Sequence, residues 1–270
     1  MELETRYPIF LVHGMGFREG RLIRYWGRIP RRLQQGGAQV FSSRQDSNGT
    51  VETNARQLAA ELDDILRQTG AERVNVIAHS KGGLEARYLI SSMGYGEKIA
   101  SVTTLSTPHH GSETVDVLMK LPDVLIRFGC RVADLWYRFL GDQQPDTYHA
   151  VAIFKTEHAR RFNEANPDRE GIYYQSFGFV MKYALSDVFM WLPYVVVRHF
   201  EGENDGLLST KSVQWTNFRG VFRGNGKRGI SHCDVVDLRR RKLSRKAGEG
   251  VSDITELYVD IVRELKEREL

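Results

Sequence analysis

Asn75-Val-Ile-Ala-His-Ser-Lys-Gly-Gly-Leu-Glu-Ala-Arg-Tyr-Leu-Ile90 runs apolar, turns at small residues, then continues with helical spacing. Val74 to Ala78 reads as a buried strand and Gly82 to Met93 as a helix, so Ser80 stands at the corner between them. Such a corner is crowded, and the residues two before and two after the serine must be small. Here they are Ala78 and Gly82, giving Ala-x-Ser-x-Gly. The nucleophile-elbow pattern carries glycine at the first position, and alanine is the smallest departure from it. A hydroxyl at that point projects from the sheet edge, and the following helix aims backbone N–H groups at any oxyanion formed beside it.

Working outward, Pro8 to Val12 reads as a short buried strand stopped by His13-Gly14, and Val40-Phe41 as another. Val51 to Gln68 sets Ala55, Leu58, Leu62, Ile65 and Leu66 on one helical face, ended by Gly70. Ile99 to Leu105 reads as a strand, Ala150 to Ala165 as a helix and Ile172 to Phe179 as a strand. In the last helix, Ile254, Leu257, Tyr258, Ile261, Val262 and Leu265 share a face, and Asp253 with Glu256 makes a capping-box pattern. Strands alternating with helices predict a mostly parallel sheet covered on both faces, an α/β fold. The rhythm breaks between 112 and 148, where Leu118, Leu121, Leu125, Ile126, Leu135, Trp136 and Phe139 read as inserted amphipathic helices.

The chain has 270 residues, 41% hydrophobic and 27% charged, with a formal net charge of +4. That is an ordinary globular composition, sufficient for a single domain over 1–270. The basic run Arg239-Arg-Arg-Lys-Leu-Ser-Arg-Lys246 comes without a nucleic-acid-binding motif, so it reads as a solvated loop and no nucleic-acid partner is expected. Cys130 and Cys233 have neither CxxC nor metal spacing, and sequence leaves open whether they pair. The first residues lack a signal-peptide pattern, which implies a cytoplasmic protein, or a secreted one if a leader has been removed.

A serine nucleophile needs a base and an acid that orients it, in the order serine, acid, histidine for this fold. Of the eight histidines, His13, His79, His109 and His110 sit in or beside strand ends, where packing roles are expected. His149, His158 and His199 have no distinctive setting, whereas His232 lies in a late loop before the terminal helix. Gly202-Glu-Asn-Asp-Gly-Leu-Leu-Ser209 supplies the acid, with Asp205 the leading candidate and Glu201 and Glu203 as alternatives.

Phe10-Leu-Val-His-Gly-Met-Gly-Phe17, Ala78-His-Ser-Lys-Gly-Gly83, Ser106-Thr-Pro-His-His-Gly-Ser112, Asn204-Asp-Gly-Leu-Leu208 and His232-Cys-Asp234 occur in order along nearly the whole chain. Together they resemble the bacterial true lipases of the α/β-hydrolase superfamily, the group that includes Pseudomonas and Burkholderia lipases. By that resemblance Ser80 is the nucleophile, Asp205 the acid and His232 the base. The backbone N–H groups of Met15 and Lys81 form the oxyanion hole. Lys81 departs from the family, which more often carries histidine or glutamine there; its ammonium is expected to pair with Glu85 one turn on, the alternative being a bias of the site toward anionic substrates. The resemblance makes 112–148 a helical lid, closed over an acyl-binding cleft in water and meeting lipid when open. It also places a calcium ligand at Asp234, although the sequence offers no match for the second aspartate of that site, and it requires no catalytic cofactor. The implied activity is hydrolysis of lipid esters such as acylglycerols. The same residues would serve a short-chain esterase, a phospholipase or an acyltransferase, and the fold alone would serve a non-catalytic lipid binder.

Overall fold

The computed structural model describes residues 2–17, 24–244 and 250–270. Six strands form one sheet: β1 (Ile9–Val12), β2 (Val40–Ser42), β3 (Val74–His79), β4 (Ile99–Leu105), β5 (Tyr173–Phe179) and β6 (Phe218–Phe222). Their order is β2-β1-β3-β4-β5-β6, and every neighbouring pair is parallel. The helices are α1 (Ile29–Gln35), α2 (Val51–Thr69), α3 (Lys81–Ser91), α4 (Glu113–Leu118), α5 (Asp123–Phe139), α6 (Thr147–Ala152), α7 (Thr156–Ala165), α8 (Trp191–Phe200), α9 (His232–Val235) and α10 (Ile254–Glu267).

Side chains alternate across a strand, so each central strand feeds two cores. Ile9, Leu11 and Ile77 pack with Trp26, Ile29, Leu33 and the apolar face of α10. Phe10, Val12, Val76 and Ala78 pack on the other side with Leu58 and Leu62 of α2 and Leu89 of α3. With both faces covered, β1, β3 and β4 are buried along their whole length, which is why apolar and β-branched residues dominate them.

Several expectations shift at element ends. The single helix expected from Ala150 to Ala165 is two, α6 and α7, because Asp116 accepts from the Thr156 N–H at 3.1 Å and its hydroxyl at 2.6 Å and so starts a new helix there. The capping box expected at Asp253 and Glu256 does not form. Asp253 accepts from the Thr255 N–H and takes two bonds from Arg28, while Glu256 accepts from the Ser252 hydroxyl. A complete capping box stands instead at Ser231 and Asp234, at the start of α9.

The insertion is helical, as expected, with α4 and α5 filling its first part. It does not lie closed with its apolar side inward. No residue of α5 is buried, and Phe139 and Val124 are 80% and 78% exposed. A second apolar surface lies just before and within α8, where Leu185, Val188, Phe189 and Leu192 are also exposed. Among the described residues no helix is long and apolar enough to cross a membrane.

Candidate active site

The corner between β3 and α3 is a strained turn. Ser80 holds φ 55° and ψ −131°, a region that non-glycine residues rarely occupy and that costs about 1–3 kcal/mol. The strain is held by the sheet: the Ser80 N–H bonds to the Leu105 carbonyl at 3.0 Å, across to β4. The smallness inferred at Gly82 has a direct cause, since a Cβ there would meet the His13 carbonyl oxygen at 2.5 Å. Gly14 is equally constrained, because its Cβ would stand 2.7 Å from the Cβ of Ser80. The loop after β1 therefore lies directly on the serine, with Met15 the next residue along it. The Ser80 side chain makes no capping bond to α3, so the hydroxyl is not spent on the helix.

Lys81 is the first residue of α3, and its backbone N–H is one of the four that a helix leaves without an intrahelical acceptor. The side chain points away into a buried polar cluster. Its ammonium is within 2.7 Å of Glu85 Oε1 and donates to the Gly49 carbonyl at 2.6 Å. Glu85 also accepts from Asn54 at 2.7 Å and Gln45 at 3.0 Å, and Gln45 in turn donates to the His13 carbonyl. The expected pairing of Lys81 with Glu85 is present, with both side chains fully buried.

Asp205 and His232 meet as the sequence order requires. His232 Nδ1 lies 2.8 Å from Asp205 Oδ2, and the His232 N–H bonds to the Asp205 carbonyl at 2.7 Å. Ser106 donates its hydroxyl to the same Oδ2 at 2.6 Å, while Oδ1 accepts from the N–H groups of Leu207 and Leu208. Burial alone would raise the Asp205 carboxyl. The adjacent His232, its hydrogen bond and those from Ser106 and Leu208 outweigh burial and hold it below the ordinary carboxylate value. The His232 ring packs 4.4 Å, centroid to centroid, from the ring of His79, the residue before Ser80. Burial, with His232 and His13 nearby, drives His79 well below the ordinary histidine value, so it stays neutral.

The alternative acids have other tasks. Glu201 accepts from the Ser112 hydroxyl and the Thr114 N–H at the start of α4, and Glu203 pairs with Arg223. His149 bonds Asp146, His158 the Ala152 carbonyl, and His109 the Thr104 hydroxyl. Cys130 and Cys233 are both free, and burial pushes the Cys233 thiol up to about 12.

Two contributors were missed in the sequence. Tyr25, fully enclosed by the fold, accepts from the Gly14 N–H at 2.9 Å and bonds His79 Nδ1 at 2.7 Å, tying the Met15 loop to the serine corner. Ser106, at φ 48°, anchors the acid. It follows directly on β4, one strand over from the corner.

Asp234 does not fit the calcium role. Its carboxylate accepts from Arg239 Nε at 2.8 Å and from Arg239 Nη2, and Oδ2 also accepts from the Ser231 N–H. Among the described residues no group of three or more His, Cys, Asp or Glu could hold a metal ion.

A parallel sheet with this serine corner, histidine and acid is the α/β-hydrolase arrangement, and comparison with known proteins agrees. The chain is 29% identical to triacylglycerol lipase 2 of Saccharomyces cerevisiae over 261 residues, covering 90% of this chain and 73% of that one. It is 42% identical to a triacylglycerol lipase of Pseudomonas fragi over 132 residues, covering 48% of this chain and 44% of the relative. The chain thus spans less than half the length of that bacterial relative. The crystal structure of Staphylococcus hyicus lipase matches with a TM-score of 0.68 at 17% identity, over 98% of this chain and 97% of that one, and supports the fold. Fold, site and relatives together define a carboxylic-ester hydrolase, and the resemblance to bacterial lipases is borne out. More particularly, the chain belongs to the palmitoyl protein thioesterase family, whose sequence pattern matches residues 8–162, more than half of it.

Proposed function

We propose that this protein hydrolyses carboxylic esters of lipids, acylglycerols foremost, through an acyl-enzyme on Ser80. The observation that carries the reading is the Asp205–His232 bond of 2.8 Å, with the His232 ring packed on the residue that precedes Ser80. Asp205 fixes the ring by Nδ1 and leaves Nε2 to take the Ser80 proton as Oγ attacks the ester carbonyl. The developing oxyanion is met by the N–H groups of Met15 and Lys81. His232 then returns the proton to the departing alkoxide, and water repeats the sequence to release the acid. Asp205 stays ionised throughout and stabilises the imidazolium.

A lipid substrate follows from the exposed apolar faces of α5 and α8. Soluble proteins rarely present surfaces of this size to water without a use for them. The α5 side chain of Tyr137 comes near the oxyanion loop, its hydroxyl 3.9 Å from where a Cβ on Gly16 would stand. Residues 112–148 thus border the site and act as its lid, meeting the acyl chain or the lipid surface. No catalytic cofactor enters this mechanism. The family description raises long-chain acyl thioesters as a second acyl donor for the same serine. Hydrolysis rates for matched acylglycerols and acyl thioesters, from two to sixteen carbons and with or without an emulsion, test the reading. The expectation is preference for long acylglycerol chains and a rate that rises at the interface. Faster turnover of acetate esters, indifferent to emulsion, would reduce the protein to a plain esterase.

A further inference from the structure

We propose that Arg239 is a built-in cation that takes the place of calcium and holds the His232 loop in register, making it a positioning residue for His232. Its guanidinium bonds oxygen at all three nitrogens, with the Cys233 thiol also near enough to act on its charge. Nε donates to Asp234 Oδ1 at 2.8 Å and Nη2 to Asp234 Oδ2, Nη1 donates to the Ser186 carbonyl at 3.2 Å, and Asp187 Oδ2 lies 3.7 Å from Nη2. Asp187 and Asp234 are 1% and 5% exposed, so two carboxylates have been taken out of water and need a counter-charge.

Both acids are wired to the residue before the histidine. The Ser231 hydroxyl donates to Asp187 Oδ2 at 2.6 Å and accepts from the Asp234 N–H at 3.1 Å, while the Ser231 N–H donates to Asp234 Oδ2. His232 lies between Ser231 and Asp234 and is the first residue of α9. Whatever cation sits between the two carboxylates therefore fixes where α9 begins and how its histidine is presented to Asp205. Two carboxylates and a carbonyl form an oxygen cradle suited to a hard divalent ion. Here a guanidinium fills it, and a planar fork donates to Asp234 through two nitrogens where an ion would bind as a point charge.

This inference rests on His232 being the base, but its stability half does not. Wild-type protein, Arg239→Ala and Arg239→Lys would each be melted in EDTA and in millimolar CaCl2, with kcat and KM measured in parallel. The wild type should melt within ~1 °C in both buffers. Arg239→Ala should melt on the order of 10 °C lower in EDTA, regain part of that loss in calcium, and lose kcat about 10-fold with KM little changed. Arg239→Lys, which keeps the charge, should fall between and ignore calcium. If Arg239→Ala does not fold, Arg239→Lys and Asp187→Asn carry the test: each should melt below the wild type and lower kcat more than it raises KM. A wild type that loses stability in EDTA overturns the proposal, as does an Arg239→Ala that melts and turns over like wild type. An Arg239→Ala that is destabilised but indifferent to calcium overturns the replacement of the metal. An inactive wild type with the expected melting pattern would sink the hydrolase reading and leave the cation assignment standing.

Discussion

Replacing Lys81 separates the two contributions proposed for it, the backbone N–H to the oxyanion and the ammonium to the fold. In Lys81→Met the ammonium disappears from a site where both it and Glu85 are fully buried. Glu85 keeps its bonds from Asn54 and Gln45 but loses its counter-ion, and the Gly49 carbonyl loses its donor. Breaking a buried pair from one side typically costs about 3–5 kcal/mol, a large part of the roughly 5–15 kcal/mol available to a folded domain. At about 2–4 °C per kcal/mol for a chain of this size, the melting temperature should fall by roughly 6–20 °C. Removing both charges in Lys81→Met with Glu85→Gln should recover most of that loss. Turnover per folded molecule, measured well below the melting transition, should stay within a few-fold of wild type. Calorimetry and active-site titration on the two variants decide the matter. A single variant that melts with wild type, or a double variant no better than the single, would refute the buried-pair account. A ~10²–10³-fold loss of kcat in folded Lys81→Met would show that the ammonium itself serves catalysis.

Other consequences are as direct. Asp205→Asn should cost on the order of 10⁴-fold in kcat, whereas Glu203→Gln should leave kcat within a few-fold, and steady-state kinetics of both checks the choice of acid. Because the folded-state value of Asp205 is depressed below its unfolded value of ~3.9, its contribution to stability is present above that pH and lost as pH falls through the folded value. Ser106→Ala removes one of the bonds that depress it, so acid unfolding should begin at higher pH, which pH-dependent melting reads. Leu125→Ser changes a residue that is 66% exposed, so it should leave the melting temperature within ~1 °C while lowering activity on emulsified long-chain esters more than on acetate esters. Gly82→Ala sets a Cβ 2.5 Å from the His13 carbonyl and should abolish soluble folded protein or activity, as expression and labelling would reveal.

What could be read in the sequence divides along physical lines. β1, β3 and β4 were legible because strands buried on both faces are rich in apolar and β-branched residues, and the few polar ones, such as Asn75 with Ser101 and Thr103 with Gln175, bond each other inside the sheet. The serine corner was legible because its crowding dictates small neighbours on either side. Asp205 and His232 were legible through order and turn chemistry. Short elements held by tertiary partners were not: α1 has no side-chain capping bond at its start, and β6 is a half-buried strand at the sheet edge. Tyr25 and Ser106 act through bonds spanning 54 and 99 positions, which no local pattern announces. Asp234 was assigned to calcium because the motif at the histidine carries no information about Arg239, whose charge reads as part of a solvated basic run until the fold brings it to two buried acids. The insertion at 112–148 was legible as apolar helices, but its packing was not, since amphipathic spacing does not say whether water, lipid or protein faces the apolar side.

The central claim is that Ser80, driven by His232 and Asp205, is the nucleophile. A fluorophosphonate probe attaches covalently to an activated nucleophile, above all a catalytic serine, and intact-mass and peptide analysis report how many sites react and where. One adduct per chain, located on Ser80, absent in Ser80→Ala and slowed by orders of magnitude in His232→Ala, is the predicted result. An adduct on another residue, or equal labelling of folded Ser80→Ala, would contradict it.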